Sequence, residues 1–257
     1  MNSDIDAAGG RAVLVTGASR GIGAAIAHAF AQAGDRVAVH YSASPGAARR
    51  VVDRLPGTGH TLAPADLADP EAVRQMVDQA AEDLGGLDVL VNNAGIYLDN
   101  TIHDDDYEQW QRAWRQTLAV NLIGAANVTW CAVRHMRRRG GGRIVNVSSR
   151  GAFRGEPKHL AYGASKGALN SFTQSLAKGL GADRIVVTGI APGFVATDMA
   201  NEILNGPRHD EILAQSPFGR VATVEEVARA VLFLAAPDIE FTSGAILDLN
   251  GASHLRI

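Results

Sequence analysis

Short apolar runs alternate with stretches of helical periodicity from one end of the chain to the other. Ala12-Val13-Leu14-Val15 is the first run, and the glycine-rich residues after it lead into a helix with Ile26, Ala29, Phe30 and Ala33 on one stripe. Gly34 is a natural stop for that helix, because glycine accepts a left-handed C-terminal conformation. Val37-Ala38-Val39 starts the next strand. Further strand-like runs are Leu62-Ala63, Leu87 to Val91, Ile144 to Val147, Ile185 to Val187 and Ala245 to Leu249. Helices are predicted between them near 46–55, 70–84, 106–138, 160–180 and 223–236. The 106–138 stretch is long for one element, and a break is predicted around 112–114.

Seven strands with helices between them imply parallel pairing, since a parallel return needs a crossover long enough to hold a helix. Near-continuous apolar strands imply a sheet covered on both faces. The expectation is an α/β, single-domain, doubly wound fold with a seven-stranded parallel sheet over residues 11–257, preceded by a frayed tail at 1–10. In such sheets ligands bind beyond the carboxyl ends of the strands. Residues 198–217 carry mixed charge and little pattern, and are expected to form a lid. Substrate choice would reside there and in 150–160, with Arg150, Phe153 and Arg154 among the candidates.

Composition narrows the function classes. The 257 residues are 46% apolar and 20% charged, as in an ordinary globular protein. A net charge of −3 argues against a nucleic-acid binder, which needs a strongly basic face. Cys131 is the only cysteine, so neither a disulfide framework nor a cysteine zinc site is possible within the chain. No uncharged apolar run is long enough to span a bilayer, and the start lacks an export signal, so a cytoplasmic location is the default. Eight histidines are scattered without ligand spacing, and no metal site is predicted.

Directly after the first strand stands Thr16-Gly17-Ala18-Ser19-Arg20-Gly21-Ile22-Gly23, and then the first helix. Glycines here let the chain turn sharply and let backbone N–H groups approach a pyrophosphate, as in Rossmann dinucleotide sites. The helix N-terminus adds about half a positive charge. An acidic residue about 20 positions on marks NAD, whereas a basic residue accepts the extra phosphate of NADP. The second strand ends His40-Tyr41-Ser42-Ala43-Ser44 without a carboxylate, and Arg20 lies inside the loop. NADP(H) is therefore favoured over NAD(H), with Tyr41 and Ser42 as further contacts. Asp66 and Leu67, after the third strand, are candidates for the adenine; Asp66 alternatively caps the turn before Pro70.

Tyr162 and Lys166 are four apart on a predicted helix, so phenol and ammonium are neighbours. A free phenol titrates near 10, and bringing it to neutrality needs about 4 kcal/mol in favour of phenolate. An ammonium about 4 Å away supplies roughly that much at an effective dielectric near 20. Ser149 ends a strand 13 residues upstream of Tyr162, where its hydroxyl can polarise a substrate carbonyl. Asn92-Asn93-Ala94-Gly95 ends the central strand, and Asn121 lies in a helix facing the same region.

Together the Gly17/Gly21/Gly23 loop, Asn92 to Gly95, Asn121, Ser149, Tyr162 and Lys166 resemble the short-chain dehydrogenase/reductase family over about residues 11–251. The resemblance is closest to the 3-oxoacyl-acyl-carrier-protein reductases. It implies that Tyr162 is the general acid or base and that Lys166 binds the nicotinamide ribose. It further implies that Ser149 steadies the carbonyl oxygen and that Asn121 holds a relay water. The segment Ala191 to Thr197 resembles the one that contacts nicotinamide, with Pro192, Gly193, Val195 and Thr197 as contacts. Ser19, Ile22, Asn93, Ala94 and Gly95 complete the implied cofactor set, with Asn92 and Gly95 along the adenosine. Two departures stand out: Thr188 replaces a common Asn, and Asn250-Gly251-Ala252 a common Asp-Gly-Gly.

The implied activity is reduction of a ketone, a 3-oxoacyl thioester among the candidates, to a secondary alcohol, by a homotetramer. The alternatives are an NAD-dependent dehydrogenase of a sugar, polyol or steroid alcohol, and a non-catalytic dinucleotide-binding regulator. A sugar-nucleotide epimerase would need a larger C-terminal portion. Arg134, Arg137, Arg138 and Arg139 crowd a helix end, where cations complement the dipole; the sharper reading is a docking patch for an acidic carrier protein. Trp110, Trp114 and Trp130 suit packing or a subunit interface. His159, three residues before Tyr162, reads as an exposed loop histidine, the sharper alternative being a residue that borders the substrate cleft.

Overall fold

The structure is a computed structural model that describes residues 10–104, 106–197, 206–207 and 209–256. Its strands are β1 (Ala12–Val15), β2 (Arg36–Tyr41), β3 (Thr61–Pro64), β4 (Val89–Asn92), β5 (Gly142–Val147), β6 (Ile185–Pro192) and β7 (Ile246–Leu249). They form one seven-stranded sheet in the order β3-β2-β1-β4-β5-β6-β7, with every pairing parallel. This is the doubly wound arrangement that the alternating pattern predicts. The order reverses between β1 and β4, which opens a crevice beyond their carboxyl ends.

The helices are α1 (Gly21–Gln32), α2 (Pro45–Val52), α3 (Pro70–Asp83), α4 (Tyr107–Leu118), α5 (Ala125–Arg138), α6 (Gly151–Arg154), α7 (Leu160–Leu180), α8 (His209–Leu213) and α9 (Val224–Leu234). Successive strand residues point to opposite faces, and both faces are covered. Leu14, Ala38, Leu90, Ile144 and Val187 join the inner faces of α3 and α5 in one core. Val13, Val15, Val37, Val91 and Val145 join α1 and α9 in the other. Phe30 of α1 is fully buried there, and truncating it to alanine should cost about 3–5 kcal/mol. Asp69 starts α3 by accepting from the N–H groups of Glu71 and Ala72, and Thr223 with Glu226 forms a capping box on α9.

The predicted break at 112–114 is misplaced. Winding changes instead at Ala119–Gly124, a π turn between α4 and α5. Its cause is tertiary: Asn121 Oδ1 accepts from Ile96 N at 2.8 Å, and its Nδ2 donates to Ile96 O at 3.0 Å. The backbone also crowds β3's exit, since a Cβ on Gly124 would stand 2.7 Å from Leu67 O. Residues 1–9, most of the predicted tail, lie outside the described residues, as do 198–205 and 208 of the predicted lid. The described remainder of that lid contains α8, whose Ile212 is buried.

Candidate active site

The carboxyl end of β1 runs into the glycine loop, which three neighbours fix. Thr16 Oγ1 donates to Val91 O and accepts from Asn93 N and Ala94 N at 2.9 and 3.0 Å. Asn93 Nδ2 donates to Thr16 O and Gly17 O. Gly17 N donates to His40 Nδ1 at 2.8 Å. The contacts are close enough to exclude side chains: a Cβ on Gly17 would lie 2.8 Å from Ala94 Cα, and one on Gly23 only 2.3 Å from Gly17 O. Gly21 has φ +55, which glycine adopts readily, and its α-carbon faces Thr197.

This cradle fits a dinucleotide. The N-cap of α1 is Arg20, whose guanidinium can only donate, so the first-turn amides have no side-chain acceptor there and are left for a phosphate. Arg20 itself is exposed, with Ser19 and Ile22 half-buried around the turn. At the end of β2, Tyr41 is half-buried and Ser42 exposed, and no carboxylate lies between them and Pro45. Asp66 is exposed and accepts from Ala68 N at 2.9 Å, so its turn-capping role is realised and its second oxygen still faces solvent. Leu67 packs its side chain into the core, which leaves only its backbone to meet a ligand.

Sequence reasoning missed His40. It is 2% exposed, its Nε2 lies 3.2 Å from Ala65 O, and one tautomer, with the proton on Nε2, serves both contacts. Burial holds its pKa at about 4. A polar residue ending an apolar strand gave no signal that it would turn inward and brace the loop.

The second half of the site lies beyond β4, β5 and β6. Ser149 follows β5, and α7 presents Tyr162 and Lys166 on one face. Burial raises the Tyr162 phenol above the ordinary value, and a hydrogen bond with Ser149 pulls it back. Lys166 is 3% exposed, donates to Val147 O at 2.7 Å and, through burial, titrates at about 8. Its Nζ stands 5.8 Å from the centre of the Tyr162 ring. The ammonium is directed at the β5 carbonyl while staying beside the Tyr162 ring. Gly95 brings the groups together, since a Cβ there would lie 3.4 Å from Asn121 Oδ1 and 3.6 Å from Lys166 Nζ.

Asn121 is 1% exposed and spends its amide on Ile96 and on Ser165 Oγ, so its side chain is a strut for the 95–96 segment. Asn92, placed along the adenosine by resemblance, instead points into the interior. Its Nδ2 donates to Thr129 Oγ1 and Asn146 Oδ1, and Asn146 continues to Thr173 Oγ1. That buried network ties α5 and α7 to the strands beneath the site. Pro192 O accepts from Arg150 N, Gly193 N donates to Leu249 O, and buried Val195 forms a bridge with Ala222. Thr197 ends the described part of this segment.

Tyr97 is a second residue missed from sequence. Its ring meets Tyr162 edge-on at 4.6 Å and stacks on His159 at 3.7 Å, so His159 is half-buried in an aromatic wall. The arginine cluster closes α5 at the amino end of β5, opposite to the site. Arg137 pairs with Asp183 and Arg139 with Asp88, while Arg134 covers Trp130. A carrier docked there would stand at the wrong end of the sheet.

A family model described as Enoyl-(Acyl carrier protein) reductase matches residues 17–254. An acetoacetyl-CoA reductase of Rhizobium meliloti (strain 1021) is 36% identical, covering 95% of this chain and 98% of the relative. A 3-oxoacyl-[acyl-carrier-protein] reductase of Vibrio cholerae is 35% identical over 96% and 98% of the two chains. Among solved structures, a short chain dehydrogenase from Burkholderia cenocepacia J2315 in complex with NADP superimposes with a TM-score of 0.85. It is 37% identical and covers 95% of this chain and 98% of its own.

Proposed function

The chain belongs to the short-chain dehydrogenase/reductase family, and on that premise we propose that it reduces a ketone to a secondary alcohol with NADPH. The observation that carries the reading is Ser149 beside the Tyr162 phenol, with the Nζ of buried Lys166 5.8 Å from the Tyr162 ring. When bound, the cofactor supplies a hydride from its nicotinamide ring. The Ser149 hydroxyl donates to the substrate carbonyl oxygen and draws charge toward it. Tyr162 gives the proton. A phenol raised by burial holds its proton at neutral pH, so the proton is present to be given. Lys166 places a cation beneath the ribose position, and Asn121 holds the 95–96 backbone in place. Gly193, Val195 and Thr197 line the nicotinamide end, and Asn93, Ala94 and Gly95 the adenosine side.

NADP(H) is supported by Arg20, by Tyr41 and Ser42 without a carboxylate, and by the NADP bound in the Burkholderia relative. A cytoplasmic homotetramer is the assembly this reading implies, with the exposed Trp130 and Ile123 at its contacts. The test follows NADPH oxidation over acyl-thioester, quinone, sugar and steroid ketones, with Tyr162→Phe as control. Loss of a general acid should cost about 10²–10⁴-fold in kcat while NADPH binding persists. Normal turnover by Tyr162→Phe would leave the chain a dinucleotide binder whose chemistry lies elsewhere.

A further inference from the structure

Arg150 directly follows Ser149 and is only 4% exposed. A guanidinium has five N–H donors, and burying one without acceptors is costly. Among the described residues the Arg150 head donates only from Nη1, to Ser253 Oγ at 2.5 Å. Among the described residues its Nε and Nη2 find no protein acceptor, and no carboxylate pairs with it. Its carbon Cζ sits 5.2 Å above the Phe194 ring, which gives the cation partial compensation. Burial and the nearby Arg154 both disfavour the charge, and Glu156 offsets them only from a distance.

The head borders a cavity of about 260 Å³, walled by Phe194, Ser216, Phe218, Asn250 and Ser253 among others. The other charges on that wall cancel, because Arg220 holds Glu226 through two contacts of 2.8 and 2.6 Å. Among the described residues, therefore, a cation with no carboxylate partner borders a space with polar and apolar walls. We propose that this cavity is an anion subsite of the substrate cleft, in which Arg150 grips a carboxylate carried by the ketone. Arg150 interacts electrostatically with Tyr97, whose ring meets Tyr162 edge-on at 4.6 Å, which sets the gripping residue beside the reaction centre. The length of arm between the carboxylate and the reacting carbonyl is what a graded series of keto acids reads out. The cavity is smaller than a typical pocket for a drug-sized ligand, so a short acid arm fits where a bulky carrier group would not.

This assignment rests on the ketone-reductase reading, and the experiment separates the two. Wild type, Arg150→Met and Arg150→Lys are assayed with NADPH on acetoacetate, 4-oxopentanoate and 5-oxohexanoate, each against its methyl ester. Wild type should prefer at least one acid over its ester. The acid-to-ester ratio of kcat/KM should fall on the order of 30-fold in Arg150→Met and partly return in Arg150→Lys. No preference in wild type, or the same ratio in Arg150→Met, overturns the subsite, and the guanidinium is then satisfied by Ser253, Phe194 and solvent. If no ketone turns over at all, the reductase reading fails, and the subsite is judged by calorimetric titration of wild type with succinate. Binding that Arg150→Met abolishes supports it, and absence of binding to wild type overturns it.

Discussion

Gly17 donates its backbone N–H to the imidazole of His40 across 2.8 Å, so the phosphate loop is held in shape by a side chain from the neighbouring strand. Only the neutral ring can accept that bond. With its pKa at about 4, His40 stays neutral in the native state well below the pH at which an unfolded histidine protonates. The depressed value means stability that is fully present above pH 6.5 and lost as the pH falls through about 4. The loss should reach about 3 kcal/mol in urea unfolding, and His40→Gln should remove that part of the pH slope. An unchanged slope in the variant would assign the acid sensitivity to other groups.

Lys166, at about 8, is cationic at neutral pH and loses its charge in mild alkali. The acidity profile of kcat/KM should therefore fall as the pH rises through about 8, whereas a plateau to pH 10 would show that the cation is dispensable. For stability the sign is opposite. The unfolded lysine holds its proton longer than the native one, so folding strengthens between about 8 and 10.5.

Ser42→Asp introduces a carboxylate at the end of β2, where the ribose phosphate of NADP is proposed to sit. Like charges at close quarters cost several kcal/mol, so preference should move toward NAD by on the order of 100-fold. Equal relative affinities before and after the change, measured by fluorescence quenching with both cofactors, would place the phosphate away from Ser42.

Ala252 has φ +58, a left-handed conformation that costs a non-glycine residue about 1–2 kcal/mol. It stands where the common family pattern has glycine. Ala252→Gly should raise stability by up to about 1 kcal/mol, seen as a melting rise of about 2 °C. A lower melting temperature would mean that the methyl group contributes packing worth more than the strain.

Much of this molecule was legible because its strands are buried on both faces and read as plain apolar runs. The glycine loop and the clustering of Ser149, Tyr162 and Lys166 were legible because glycines between a strand and a helix, and side chains four apart on a helix, have fixed geometric consequences. What escaped depends on the third dimension. No local signal fixes the π turn, whose position follows from the pairing of Asn121 with Ile96. His40 and Arg150 carry polar heads that usually seek solvent, and only the completed fold turns them inward. Lys166 and Tyr162 share a helix face as the spacing required, yet the ammonium chose the Val147 carbonyl, an acceptor that sequence separation conceals.

An α-helix turns about 100° per residue. Dropping one residue from 119–124 would therefore rotate everything downstream by that angle, bringing Trp130 toward the sheet and swinging Met136 out of its core. The aim of Asn121 and the buried side of α5 are set by the same surplus residue, so evolution cannot adjust one without resetting the other.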